Sequence, residues 1–188
     1  MDNRVHILES ALELFSLHGY DAVGIQEICN KAGISKPTLY YYFGNKKGLL
    51  NTLLNEKYSQ LELVIENAAL YNGDLPLTLH KVVSAYFTYA SNNPLFFRMQ
   101  MSLAFSPPES ESFKAVLPIF ESQLKILKEL FINAVKDHGN MRGRHKAYAV
   151  SLLGTINTYI QMCLSGTIEI NNEVTFKVVH QYMHGIYS

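Results

Sequence analysis

Apolar residues recur at three- and four-residue spacing along almost the whole of this 188-residue chain, and that period admits helices and little else. Ile7, Leu8, Ala11, Leu12, Leu14 and Phe15 form one stripe, which His18-Gly19 ends, with Gly19 suited to a left-handed cap. A short second helix is expected over 25–32, burying Ile25, Ile28, Cys29 and Ala32. Gly33 supplies a tight turn. Ser35 reads as the N-cap of a third helix over 36–43, with Pro37 tolerated in its first turn and Gly44 closing it. Asn45 caps a fourth that runs to about residue 70. Beyond Asn72-Gly73-Asp74, longer helices are expected over 75–92, 94–105, 112–138, 142–165 and 173–187, separated by Asn, Gly and Pro clusters. Pro118 falls inside one of these patterns, where it either occupies a first turn or kinks the helix. Val174 to Val179 is rich in β-branched residues, but its apolar spacing continues through Tyr182, Met183 and Ile186, which favours helix. The fold class is all-α.

Composition narrows the class further. Hydrophobic residues make up 48% and charged residues 17%, enough apolar side chain to offset the entropy of folding. No run of about 18 apolar residues offers a membrane span. The opening MDNRVHILES lacks a charged-then-apolar leader, and two cysteines, Cys29 and Cys163, cannot build a disulfide framework. A reducing, cytoplasmic setting is expected.

Charge decides what the chain meets. Lys+Arg and Asp+Glu both number 16, so the whole chain is formally neutral, unlike most nucleic-acid binders. The distribution is uneven, however. No acidic residue lies between Glu27 and Glu56, and that stretch holds Lys31, Lys36, Lys46 and Lys47. A phosphate responds to local charge, because salt limits electrostatic reach to about 8–10 Å. Four such lysines are ordinarily a solvated face; their surroundings argue for more.

Two short helices joined by a Gly-containing turn make a helix-turn-helix. Ile25, Ile28, Cys29, Ile34, Leu39 and Phe43 would seal its small core, and Leu39 and Phe43, four apart, share one face. The opposite face of the third helix then shows Lys36, Pro37, Thr38, Tyr41 and Tyr42. Such a helix fits the major groove and presents its N-terminal residues to base edges. Thr38 can hydrogen-bond a base or touch a thymine methyl, Lys36 can reach guanine or phosphate, and the tyrosine hydroxyls can reach backbone oxygens. Lys46 and Lys47 stand in the first turn of the fourth helix, where they oppose the helix dipole at a cost of about 0.3–1 kcal/mol. A bound phosphate reverses that penalty.

The run Gly33-Ile34-Ser35-Lys36-Pro37-Thr38-Leu39-Tyr40-Tyr41-Tyr42-Phe43-Gly44-Asn45-Lys46, within residues 4–54, resembles the TetR family of bacterial transcriptional regulators. The resemblance implies about nine helices and a homodimer. It implies an N-terminal three-helix DNA-binding domain over 1–45, a linking fourth helix over 46–70, and a helical effector-binding and dimerisation domain over 71–188. By position, Gln26, Lys36, Pro37, Thr38, Tyr40, Tyr41 and Tyr42 match DNA-contact positions, and Lys46 matches a phosphate contact. Two departures stand out. Gly24 replaces the usual Thr or Ser cap of the second helix, and Lys47 replaces a common acidic residue. Neither opposes DNA binding, and the second favours it.

The C-terminal half lacks motifs. Tyr86, Phe87, Tyr89, Phe96, Phe97, Met99, Met101 and Phe105 crowd one region, as core or as pocket wall. The resemblance places a cavity between the middle helices. Tyr86, Tyr89, Phe97 and Met101 are expected to line it, with Phe120, Leu124, Tyr159 and Met162. Arg98 either meets a ligand carboxylate or phosphate or lies on the surface. The last two helices are expected to dimerise. Ala147, Ser151, Gly154, Thr155 and Thr158 are small enough for close helix approach, and Val179, Tyr182, Met183 and Ile186 add an apolar face. Internal core is the rival use of that face. The mechanism expected is two recognition helices reading half-sites of a palindromic operator about 34–36 Å apart, released when a small hydrophobic or amphipathic effector tilts the fourth helix.

Other classes fare worse. No Gly-rich phosphate loop or nucleophile elbow is present, so neither catalytic residues nor a cofactor is expected. His180 and His184 are spaced i, i+4, yet no Cys, Asp or Glu lies near them in sequence, so no metal is expected either. The alternative is a helical ligand-binding or interaction protein without operator binding, against which the acid-free stretch speaks.

Overall fold

The computed structural model describes residues 2–185. Among them are nine α-helices, one short 3-10 turn and no strand. The helices are α1 (Asn3–His18), α2 (Ile25–Ala32), α3 (Lys36–Phe43), α4 (Lys46–Ala68), α5 (Leu75–Asn92), α6 (Pro94–Ala104), α7 (Glu111–Ala134), α8 (His145–Leu164) and α9 (Asn172–His184). The chain divides into two compact units. One holds residues up to Ser59 together with Leu95–Pro118; the other holds Gln60–Pro94 and everything from Ile119 onward. Among the described residues, no helix is long and apolar enough to cross a membrane.

Local capping explains the first unit's short helices. Asp2 opens α1 by accepting the Arg4 N–H at 2.9 Å. Gly19 ends α1 at φ 80° and ψ 150°, so its φ is positive but its ψ is extended, and the simple left-handed cap expected there is not formed. Gly33 does occupy the left-handed region, at φ 66° and ψ 33°. There the Ile34 N–H donates to the Cys29 carbonyl at 3.0 Å and the Gly33 N–H to the Asn30 carbonyl at 3.3 Å, which closes α2. Asn45 caps α4 by accepting the Gly48 N–H at 2.8 Å.

Ile7, Phe15, Ile28, Cys29, Leu39, Phe43, Leu49 and Leu50 form the core of this unit. Ile25, Ala32 and Ile34, expected in the same core, are only half-buried, because they stand at the rims of the turn. Arg4 ties three helices together. Its guanidinium lies 5.9 Å from the centroid of the Phe43 ring and pairs with Glu56. The first turn of α7 joins the α1–α2 loop, as Tyr20 Oη donates to Glu111 Oε2 at 3.1 Å and Ser112 Oγ donates to Asp21 Oδ2 at 2.9 Å. Both bonds lie within the first unit, which joins residues 95–118 to the N-terminal helices, a grouping that a linear division of the chain does not contain.

In the second unit α5 is central and packs on α8 and α9. Asp74 caps it by accepting the Leu77 N–H at 2.9 Å. Leu79, Val82, Tyr86 and Phe87 of α5, Ile156 and Ile160 of α8, and Val178 and Val179 of α9 are all buried in the core of this unit. Phe131 stacks near Tyr148 and Tyr182, and the Tyr182 hydroxyl donates to the Tyr148 carbonyl at 2.8 Å. Pro118 lies well inside α7 rather than in its first turn. Several ends move from expectation. α7 stops at Ala134, α8 begins at His145 after a 3-10 turn over Gly139–Met141, and Phe105 lies outside α6, 84% exposed. Val174 to Val179 is helical, as its spacing requires.

Leu39 is fully buried at the α2–α3 contact. Leu39→Ala should cost about 2–5 kcal/mol through lost burial and the cavity left behind. A urea unfolding midpoint unchanged from the parent would show that this contact is not structural.

Candidate nucleic-acid interface

Burial of Leu39 and Phe43 fixes which face of α3 meets solvent. Ser35 opens the helix, accepting the Thr38 N–H at 3.4 Å, and its hydroxyl shares a 2.9 Å hydrogen bond with Thr38 Oγ1. Lys36 and Pro37 are exposed, and Thr38 is half-buried. Tyr40, Tyr41 and Tyr42 are 45%, 83% and 38% exposed. Three large aromatic side chains in solvent on an eight-residue helix are unusual unless a partner covers them. The Tyr41 and Tyr42 rings meet edge-to-face at 5.2 Å, which stiffens that surface.

The flanking residues are unequal. Gln26 is exposed on α2, where its Nε2 donates to Asn30 Oδ1 at 2.8 Å. Gly24 provides no side-chain cap for α2. Lys31 pairs with Glu13 at 2.7 Å, so one of the four lysines of the acid-free stretch has its charge answered within the chain. Lys47 is exposed. Lys46 is half-buried, with Nζ 4.2 Å from the centroid of the Tyr20 ring. Burial lowers the pKa of Lys46, while the charges of Asp21 and then Glu111 oppose that shift. Burial first, and then the bond to Glu111, push the Tyr20 hydroxyl well above the ordinary tyrosine range.

The nine side chains expected around an effector divide between the units. Tyr86, Tyr89, Phe120, Leu124, Tyr159 and Met162 belong to one, and Phe97, Arg98 and Met101 to the other. Tyr86 and Phe97 are fully buried, and Arg98 is exposed. Within the second unit a concavity of about 600 Å³ is lined by Glu62, Glu66, Leu70, Tyr71, Lys125 and Glu129, among others, and contains none of the nine. Smaller grooves of about 310 and 490 Å³ contain Leu124 and Tyr89 respectively. Reading for aromatic walls also missed some buried polar groups. Gln100 Oε1, Gln123 Oε1 and Asn157 Oδ1 are buried without a hydrogen-bond partner. No periodicity signals such a group, since a buried Gln and an exposed one read alike in sequence.

The expected dimer residues also separate. Ala147, Ser151, Gly154 and Thr158 form one exposed stripe of small residues on α8, and Thr155 is half-buried beside it. On α9, Met183 is exposed and Tyr182 half-buried. Val179 is only 6% exposed and belongs to the protomer's own core, because α5 occupies that side of α9. Ile186 lies outside the described residues. Phe176, 62% exposed and seven residues before Met183, extends the α9 face, a position the spacing could have supplied. Among the described residues no group of three His, Cys, Asp or Glu could hold a metal ion.

An eight-residue helix set by a left-handed Gly turn, buried on one side and carrying Lys, Thr and Tyr on the other, defines a helix-turn-helix protein. Residues 7–53 match the family described as bacterial regulatory proteins, tetR family. Over those residues the chain carries the domain of that TetR family. It is 30% identical over 128 residues to the HTH-type transcriptional regulator YuxN of Bacillus subtilis, covering 68% of this chain and 44% of YuxN. It is 27% identical over 157 residues to the HTH-type transcriptional activator FasR of Mycolicibacterium smegmatis, covering 81% of this chain and 68% of FasR. Its fold is that of the transcriptional regulator FadR from Bacillus subtilis, solved in complex with stearoyl-CoA. The TM-score is 0.82 at 21% identity, over 97% of this chain and 99% of that one.

Ser35 serves both the backbone and the side chain of Thr38. Ser35→Ala should lower stability by about 0.5–2 kcal/mol, the usual loss for an N-cap hydroxyl. A thermal melt superimposable on the parent's would show that the cap contributes nothing.

Proposed function

We propose that this protein is a cytoplasmic, homodimeric transcriptional repressor, not an enzyme. On this reading it binds a palindromic operator through α3 and leaves it when a small hydrophobic or amphipathic effector binds the C-terminal helices. The observation that carries this reading is the solvent-facing Lys36, Pro37, Thr38, Tyr40, Tyr41 and Tyr42 surface of α3, held outward by buried Leu39 and Phe43. Similarity of the N-terminal residues to bacterial regulators supports it. In this scheme Thr38 and Lys36 address base edges, and the tyrosines reach the sugar–phosphate backbone. Gln26, Lys46 and Lys47 hold phosphates on either side. The fourth helix links the reading head over 1–45 to the effector domain over 71–188.

The effector is the less constrained half of the reading. The stearoyl-CoA held by the FadR of similar fold makes a long acyl chain on a polar carrier the first class to test. Within the second unit, Tyr86, Tyr89, Phe120, Leu124, Tyr159 and Met162 are the side chains offered as apolar wall. In the same unit Gln123 and Asn157 supply acceptor oxygens that call for donors on a ligand or an ordered water, since an unpaired buried acceptor costs about 1–3 kcal/mol. Dimerisation would cover the Ala147, Ser151, Gly154 and Thr158 stripe together with Phe176 and Met183. The similar FasR is an activator, so transcription measured from the bound promoter fixes the sign of regulation.

Duplexes selected from a random pool provide the binding test. Lys46→Ala should weaken all duplexes about equally and reduce the slope of log K against log salt by about 1, whereas Thr38→Ala should change which sequences are preferred. If the two variants behave alike on every sequence, the division of roles fails. Saturating stearoyl-CoA should weaken operator binding by about 5–150-fold; no change at saturation excludes acyl-CoA as the effector class.

For the assembly, Ser151→Arg places a long charge in the α8 stripe without touching the core. Sedimentation should show a folded monomer where the parent is a dimer. A dimer that survives the substitution would put the interface elsewhere.

A further inference from the structure

Lys46 stands apart from the other lysines of the acid-free stretch. It is half-buried, its Nζ lies 4.2 Å from the centroid of the Tyr20 ring, and Asp21 and Glu111 both act on its charge. None of these neighbours is placed at random. Tyr20 is 4% exposed and donates its hydroxyl to Glu111, while Ser112 donates its hydroxyl to Asp21. Both bonds span 91 positions of sequence. The ring therefore fixes where the ammonium rests, and the first turn of α7 fixes the carboxylates that face it.

A phosphate arriving at the N-terminus of α4 meets an ammonium that already rests on a π face and lies in the field of two carboxylates. It must compete with them, since all three favour the same cation. We propose that Tyr20, Asp21 and Glu111 are positioning residues for Lys46, which set its reach and its availability to a DNA phosphate through the contact between the α1–α2 loop and the first turn of α7. The inference rests on the DNA-binding reading above, but it concerns residues that face no DNA themselves. Its consequence is that a change at Glu111, at the start of α7, alters duplex affinity through one lysine at the start of α4.

The test is a double-mutant cycle on the full-length protein, with random-sequence duplex as the probe. Glu111→Gln keeps an acceptor for the Tyr20 hydroxyl and removes the charge. It should tighten duplex binding about threefold to tenfold at low salt, uniformly across sequences. In the Lys46→Ala background the same substitution should change nothing. Asp21→Asn should repeat the pattern and guards against a folding defect peculiar to Glu111. In the free protein, the Lys46 side-chain NMR titration should move to lower pH in Glu111→Gln, because a charge that raises its pKa has gone. An equal gain with and without Lys46 would reduce Glu111 to a general repulsion of DNA and overturn the inference, as would an unmoved Lys46 titration. A wild-type protein that binds no duplex would overturn the DNA-binding reading, and this inference with it.

Discussion

Everything the N-terminal unit offers to a partner depends on two side chains that no partner touches. Leu39 and Phe43 lie one turn apart on α3, which packs on α2, and both are buried, as are Ile7, Phe15 and Ile28. Their burial leaves α3 one rotation about its axis. Tyr41 then faces solvent because Leu39 and Phe43 cannot, and Thr38 stays at the rim with its hydroxyl held by Ser35. A helix of eight residues has little stability alone, so its orientation comes from this seal and from its cap rather than from helix propensity. The direction of the outward face of α3 is thus set by its hidden side.

Charge follows the same logic of position over number. The acid-free stretch carries four lysines, yet they are not equivalent. Lys31 is answered by Glu13, Lys36 and Lys47 stand in solvent, and Lys46 rests on Tyr20. Exposed pairs such as Lys31–Glu13 contribute little to stability, about 0–1 kcal/mol, so the pairing matters more for the field a duplex would meet than for folding. A formally neutral chain can present a local positive surface because the balancing carboxylates lie outside residues 28–55.

How much of this was legible follows from the range of each interaction. The bounds of α2, α3 and α5 are readable to the residue, because Gly33, Ser35 with Pro37, and Asp74 each act within a few positions of themselves. The outward face of α3 is readable from the i, i+4 pairing of Leu39 with Phe43. The Tyr20–Glu111 and Asp21–Ser112 bonds are not readable, since a polar residue in a loop gives no sign of a partner 91 positions away. Val179 marks the other limit. The apolar face of α9 is wider than one partner helix needs, and sequence does not say which edge α5 takes. Tertiary packing buried Val178 and Val179 and left Phe176 and Met183 in solvent.

The two halves of the chain therefore differ in what kind of information specifies them. The N-terminal helices are built from short-range devices, and the family resemblance falls there, within residues 7–53. The C-terminal helices need only keep an apolar period to pack, and many aromatic and aliphatic choices satisfy that condition equally. What distinguishes one such domain from another is the small set of polar atoms that packing does not require. Gln123 and Asn157 carry such atoms here, each buried with an oxygen that no protein donor meets. A core selected for stability alone would replace them with apolar residues of similar volume, because that removes the desolvation penalty. Packing alone therefore does not account for these two side chains.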